Sequence, residues 1–416
     1  MIQNSYTPWT LAEKIGFRFV FIFFSLFILF FNNGVFPIPG ILTINLFQGI
    51  QIIVMWLANG VLGLNYIPST VSGGSGDTTY HYIMLLFVSL VSVAGCLIWS
   101  LFETEKSNYN KLLYWLTVIV RFYVGIMFIH YGLAKIIKVQ FASPDLMRLL
   151  TIYGDSSPMG LAWTFFGFSN GYNIFMGIAE LLCVLLLFKR TVVLGAIISL
   201  MVSANVMAVN YFFDVPVKIL STALVVMSLF LLAPNFYRLV DFFLKDKATS
   251  LKVLESPMTN KRGLLYTKIT FKYLFIVVCI LPTVFSNLKR REIYGDAAPK
   301  LPLYGAYSVD SFTSEAPVPK WEKLIIQRSA YSAIKMANDN IEYCNMTVDT
   351  TKHQLVISFN DDLNTGHTFN YHVLDSDNLE LTGMYFGRTL KVKLKRQHFK
   401  LTERPFNWIS EDPYNR

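Results

Sequence analysis

The chain has 416 residues, 53% of them hydrophobic and 15% charged, whereas an ordinary soluble domain is about 25% charged. Runs of about 20 apolar residues make it an integral membrane protein. The net charge of +9 is no sign of nucleic-acid binding, because much of it sits in one stretch, 238–272, where the positive-inside rule accounts for it. The four cysteines, Cys96, Cys183, Cys279 and Cys344, contain no Cys-x-x-Cys and no pair in one compartment, so neither a disulfide framework nor a thiol relay is indicated.

In chain order, hydropathy predicts seven spans: 17–36, 80–102, 111–134, 171–188, 191–213, 216–234 and 270–288. The first is too long for a signal-peptide core and lacks a small-residue cleavage site, so it reads as a retained span. An eighth apolar stretch, 42–64, carries Asn45, Gln48, Gln51 and Asn59; it either spans or lies as a re-entrant or interfacial helix. Lys14 and Arg18 precede the first span, Lys106–Lys111 and Lys189-Arg190 are basic, and 37–79 holds no Lys or Arg. With basic connections inside, the 37–79 and 135–170 segments and the tail after 288 lie on the far side.

From Lys289 the pattern changes. Pro299 to Pro302 make a rigid link, and short alternating segments follow at 304–312, 321–327, 333–336, 341–348, 354–359, 368–374, 379–385, 390–395 and 398–402. Turn residues such as Asn338-Asp339-Asn340, Asn360-Asp361-Asp362 and Asp375-Ser376-Asp377-Asn378 separate many of them. Period-two alternation at this spacing predicts an antiparallel barrel or sandwich. The entry Leu303-Tyr304-Gly305-Ala306-Tyr307 is similar to the Gly-x-aromatic start of lipocalin-like barrels. The domains expected are 1–288 (helical, core 111–240), a linker 289–302 and a β-domain 303–416.

Ionisable groups inside spans are costly and mark candidate sites. Glu180 lies too deep in its span to reach water; it either pairs with Arg121, at similar depth in another helix, or accepts protons facing a cavity. Lys135 ends the third span and is either a base or anion anchor or a snorkelling interfacial residue, as Lys138 is expected to be. Asp214 and Lys218 flank Pro216, which suits a first helical turn; Asp214 then caps that helix or joins an anion site. Asn205 and Asn210 add hydrogen-bonding groups on the preceding helix. Gly73-Gly74-Ser75-Gly76-Asp77-Thr78-Thr79 is not a phosphate loop, since no Gly-Lys-Ser/Thr follows. Asp77 and His81, four apart, share a helical face but do not make a metal site. Lys135, Asp155, Asn205, Asn210, Asp214, Lys218, Asp77 and His81 all fall in the outer half or beyond, with Glu180 as an inner floor. A single chamber opening outward uses them all.

The block 120–240 resembles the DoxX/HTTM superfamily, which includes the vitamin-K-dependent γ-carboxylase membrane domain. Arg121, Tyr131-Gly132-Leu133-Ala134-Lys135 and the helix with Glu180 carry the resemblance, continued by Lys189-Arg190, Asn205 and Asp214. It implies a catalytic base at Lys135 and its acidic companion at Glu180. The whole chain, with Tyr-Gly-Asp-Ser-Ser-Pro-Met-Gly, Asp-Val-Pro-Val-Lys and a tail with Phe-Asn-Trp-Ile-Ser-Glu, is similar to bacterial DoxX-like proteins, which implies an inner-membrane protein with a periplasmic β-domain. The carboxylase's lumenal domain is not recognisable, so its peptide substrate is not carried over.

Two functional readings stay open. One is an enzyme acting at the outer leaflet on a quinone-, isoprenoid- or lipid-linked substrate, in which single replacement of Lys135 or Glu180 abolishes activity and leaves melting nearly normal. The other is a non-catalytic lipid-binding or accessory membrane protein, its β-domain a platform for a periplasmic or membrane protein partner. A transporter ranks behind both, since no repeat is seen. A quinone or lipid is the cofactor class expected; no metal and no nucleic acid is.

Overall fold

The computed structural model describes residues 8–38, 40–67, 74–103, 106–252, 262–328, 332–359 and 366–415; Gly73 and the turn 360–362 lie outside them. The helices, in order, are α1 (Leu11–Phe30), α2 (Gly40–Trp56), α3 (Thr79–Phe102), α4 (Asn110–Ile136), α5 (Leu146–Leu150), α6 (Pro158–Phe168), α7 (Asn170–Leu181), α8 (Val192–Phe212), α9 (Lys218–Leu232), α10 (Phe236–Lys245) and α11 (Arg262–Ile293). Eight strands follow: β1 (Gly305–Ser314), β2 (Trp321–Ile326), β3 (Ser332–Met336), β4 (Ile341–Asp349), β5 (Gln354–Ser358), β6 (His367–Val373), β7 (Asn378–Tyr385) and β8 (Arg388–Arg396); α12 (Lys400–Glu403) comes last. The chain divides into two compact units. The first holds 1–140, 158–162 and 170–289, and the second holds 141–157, 163–169 and 290–416.

In the first unit, six helical stretches among the described residues are long and apolar enough to cross a membrane: Thr79–Phe102, Asn110–Ile136, Asn170–Leu187, Val192–Phe212, Lys218–Lys245 and Gly263–Ile293. The chain is a multi-pass membrane protein with a helical bundle. The predicted first span, 17–36, is not among them: the helix there, α1, runs from Leu11 to Phe30 and takes in Glu13, Lys14 and Arg18. Its start is set by a capping box in which the Glu13 amide donates to Thr10 Oγ1 (3.3 Å) and the Thr10 amide donates to the Glu13 carboxylate (2.7 Å). Its end is set by Asn33 and Gly34, both at positive φ (47° and 76°).

Arg18 does more than bias topology. It is buried, and its guanidinium donates to Tyr109 Oη (2.9 and 2.6 Å), Ser100 Oγ (2.8 Å) and the Glu103 carbonyl (2.5 Å). The Glu103 carboxylate, just past the end of α3, accepts from Trp99, Lys106 and Tyr109, and the first two bonds hold its pKa down at about 2.

The stretch 42–64 is helical through Trp56 and then widens into a π-turn, Leu57–Val61, with Ile50, Val54, Leu57 and Ala58 turned inward. Pro234 does not end the sixth predicted span. It sits in a short 3₁₀ segment, Ala233–Asn235, which carries the chain past the missing proline N–H, and the chain stays helical to Lys245. The last span, predicted over 270–288, belongs to a 32-residue helix.

The second unit is a closed eight-stranded antiparallel barrel in which each strand pairs with its neighbours in sequence. Closure comes from β1 against β8, with Tyr307 opposite Arg396 and Ser314 opposite Leu390. The sandwich alternative is thereby excluded. Alternation along β8 sends Leu390, Val392 and Leu394 inward, and Trp321, Phe369, Leu381 and Tyr385 fill the same interior. The ninth predicted strand, 398–402, is not one. Closure leaves no free edge for it, and the chain turns instead into α12, with His398 bound to Glu403 (2.8 Å) and Asp377 (3.2 Å).

Residues 290–302 are not a free linker. Arg328 donates to the carbonyls of Tyr294 (2.6 Å) and Gly295 (2.7 Å), and Leu301 packs on the barrel core. The 141–157 connection belongs to the same unit: Ser143 binds Asp296 (3.0 and 2.7 Å), and Leu146 packs with Ala306, Ile325 and Ala333. This connection and the tail therefore fold together in one compact unit.

Candidate functional site

Two glycines bring α4 and α7 together. A Cβ on Gly132 would lie 2.8 Å from the Gly177 carbonyl oxygen, and one on Gly177 would lie 2.7 Å from that of Gly132. Small residues let membrane helices approach at backbone distance. One turn beyond each glycine stand Lys135 and Glu180, which the crossing turns face to face.

Lys135 Nζ is 2.7 and 2.8 Å from the two carboxylate oxygens of Glu180 and 3.0 Å from Gln140 Oε1. The residues are 6% and 3% exposed, so the pair is almost wholly withdrawn from solvent. All three of these oxygens are acceptors suited to the N–H donors of an ammonium. The Tyr131 ring lies 5.6 Å from Nζ, on the cation's flank. The buried face of α7 is Asn173, Gly177 and Glu180, at helical spacing. Immediately after Leu181 the span tightens into a 3₁₀ stretch, Leu182–Leu187. Such a stretch in mid-span marks strain or a hinge. Close packing accompanies it: a Cβ on Gly195 would meet the Leu186 amide nitrogen at 2.7 Å.

Other predicted residues group differently. Arg121 does not pair with Glu180: fourteen residues separate it from Lys135 on one helix, about 20 Å along the axis. It lines a pocket with Lys189 and Arg190 instead. Asp214 is not the cap of α9. It sits at φ 50°, is highly exposed and, among the described residues, pairs with Lys218 Nζ (2.9 Å). Capping comes from Asp77, whose carboxylate accepts from the amides of Lys218 (2.5 Å) and Ile219 (3.0 Å), while the Gly76 amide donates to the Pro216 carbonyl (2.9 Å). The helix begins at Lys218 rather than Pro216, and its N-cap Val217 has no side-chain acceptor, so a distant carboxylate serves.

His81 Nδ1 meets Thr78 Oγ1 (2.7 Å), not Asp77. Asn210 is buried and donates to the Val217 carbonyl (3.2 Å); Asn205 is exposed on α8. Asp155 belongs to the second unit, in an exposed 3₁₀ turn, Tyr153–Asp155. The predicted residues thus fall into a Lys135–Glu180 group, an Asp77–Lys218–Asp214 group and the Arg121 pocket, rather than into one chamber. Among the described residues no three His, Cys, Asp or Glu side chains are placed to hold a metal ion.

Sequence reasoning missed Gln140 and Asn173. It also took Lys138 for a surface anchor, whereas Lys138 is buried and donates to Asn170 Oδ1. Gln140 follows the left-handed turn at Lys138 (φ 62°), and nothing in its local pattern announces that fold-back. The pair itself has a sequence signal: Gly132-x-x-Lys135 and Gly177-x-x-Glu180 repeat one spacing with opposite charges.

No protein-family model matches the chain, and no solved structure does. The uncharacterised protein YwoB of Bacillus subtilis (strain 168) is 36% identical over 138 residues, which are 32% of this chain and 86% of YwoB. At that identity over most of the relative's length, the chain belongs to the YwoB family.

Proposed function

We propose that this is a DoxX/HTTM-like inner-membrane enzyme acting at the outer leaflet on a quinone-, isoprenoid- or lipid-linked substrate, with Lys135 and Glu180 as its proton-carrying couple. One observation carries the reading: an ammonium and a carboxylate in direct contact inside the bundle, 2.7 Å apart. Taking two charges out of water costs several kcal/mol per ion, about what their attraction returns, so a pair in a span gives little net stability. Transfer of one proton from Lys135 Nζ to Glu180 leaves a neutral amine and a neutral acid. The amine then accepts a proton from an acidic C–H of the substrate, and the acid returns its own to the carbanion formed or to a carbon conjugated with it. Gln140 keeps the amine oriented throughout.

The test uses the detergent-purified full chain. Native mass spectrometry should find a quinone, isoprenoid or lipid bound to it. Incubation in D₂O should then place deuterium at a carbon of that molecule in the wild type and not in Lys135→Met/Glu180→Leu. Bound lipid with no deuterium uptake in either protein overturns catalysis.

That outcome would favour a second reading, a non-catalytic lipid-binding or accessory protein with the barrel as a partner platform. Its support is the direct engagement of Lys135 Nζ by the Glu180 carboxylate and Gln140 Oε1, an arrangement that also suits a purely structural pair.

A further inference from the structure

A second cluster of charged residues in the bundle lies far from the Lys135–Glu180 pair. Arg121 projects from α4 into an open pocket of about 50 Å³, several times what one water needs. Its Nε is buried and has no hydrogen-bond partner among the described residues. The other charged residues lining the pocket are Lys189 and Arg190, from the turn between the 3₁₀ stretch and α8, and Lys252. Among the described residues no carboxylate lines it. Val118 and Leu231 give it apolar walls.

The arm carrying Lys252 is held in place. Asn235, buried, donates from Nδ2 to the Lys252 carbonyl (3.0 Å) and accepts from the Lys252 amide (2.7 Å). Four cations gathered on one partly dry hollow repel each other, and a guanidinium nitrogen buried without an acceptor is destabilising. Both penalties are relieved by a single multivalent anion, and a phosphate offers oxygens that a guanidinium fork and flanking ammonium groups fit.

We propose that this pocket binds a phosphate-bearing anion, with Arg121 as its deepest donor and Lys189, Arg190 and Lys252 as its rim. Apolar walls beside the cations favour the phosphodiester of an anionic phospholipid, whose glycerol and acyl portion lies along Val118 and Leu231. Free phosphate has the same donors available and no use for those walls.

The experiment is ligand-induced thermal stabilisation of the full chain in a neutral detergent, titrated with short-chain phosphatidylglycerol, phosphatidylcholine, or inorganic pyrophosphate. Stabilisation by phosphatidylglycerol alone supports the site and identifies the lipid as its source. Stabilisation by pyrophosphate as well supports the site for a free phosphate group. Arg121→Gln should weaken binding about fivefold or more, as should the exposed-rim variants Arg190→Gln and Lys252→Gln, which leave the span untouched; about 1 kcal/mol per basic residue corresponds to that factor. Lys247→Gln, in the same arm and outside the pocket, should change it less than about twofold. Phosphatidylcholine stabilising as well as phosphatidylglycerol, or Lys247→Gln weakening binding as much as Arg190→Gln, overturns the proposal.

Discussion

Glu180→Gln is the sharpest perturbation the structure offers. The carboxylate and its partner have side chains 4% and 7% exposed, and both carboxylate oxygens accept from Lys135 Nζ. The substitution keeps the shape, removes the countercharge and places an NH₂ where an acceptor stood. Breaking a buried pair by removing one partner destabilises by about 3–5 kcal/mol, a large part of a typical total stability. Replacing both with apolar side chains, Lys135→Met/Glu180→Leu, is expected to be neutral or to stabilise by about 1–4 kcal/mol, because neither ion then has to be desolvated. Reversible unfolding in mixed micelles, run as a double-mutant cycle, measures the coupling. Single variants that each cost under about 1 kcal/mol and simply add up would refute a desolvated pair. The sequence suggested normal melting for single variants; the structure reverses that expectation, because each residue is the other's solvent.

Gly132→Ala should cost about 1–3 kcal/mol and weaken the Lys135–Glu180 coupling, since the new Cβ would meet a carbonyl at 2.8 Å; a variant with wild-type melting would show that the helices part easily. Asp77→Ala should lose about 0.5–2 kcal/mol by uncapping α9, and faster amide exchange at Lys218 and Ile219 is the specific readout. His398 should titrate above its ordinary 6.5, because hydrogen bonds to Glu403 and then Asp377 favour the imidazolium. Its contribution to barrel stability is therefore fully present below pH 6.5 and fades as pH rises through the higher folded value. An NMR titration of its Cε1–H in the full chain with a midpoint at or below 6.5 would contradict the hydrogen-bonded arrangement.

Hydropathy was enough to determine a multi-pass membrane bundle, and period-two alternation was enough to determine an antiparallel β-domain. Those patterns depend on local burial, and each residue reports its own. They also marked Lys135, Glu180, Arg121, Asp77 and Lys218 as costly or unusual where they stand. Which partner each one takes was decided only in three dimensions. Glu180 meets Lys135 rather than Arg121 because glycines 132 and 177 let two backbones touch, and position along α4 puts Arg121 about 20 Å away. Asp77 rather than Asp214 caps α9 because a docked loop reaches the amides that Val217 cannot serve. The choice between sandwich and barrel, and the loss of the ninth strand, rest on the β1–β8 register. Contacts between residues distant in the chain depend on packing geometry, and a one-dimensional pattern of burial carries no information about it.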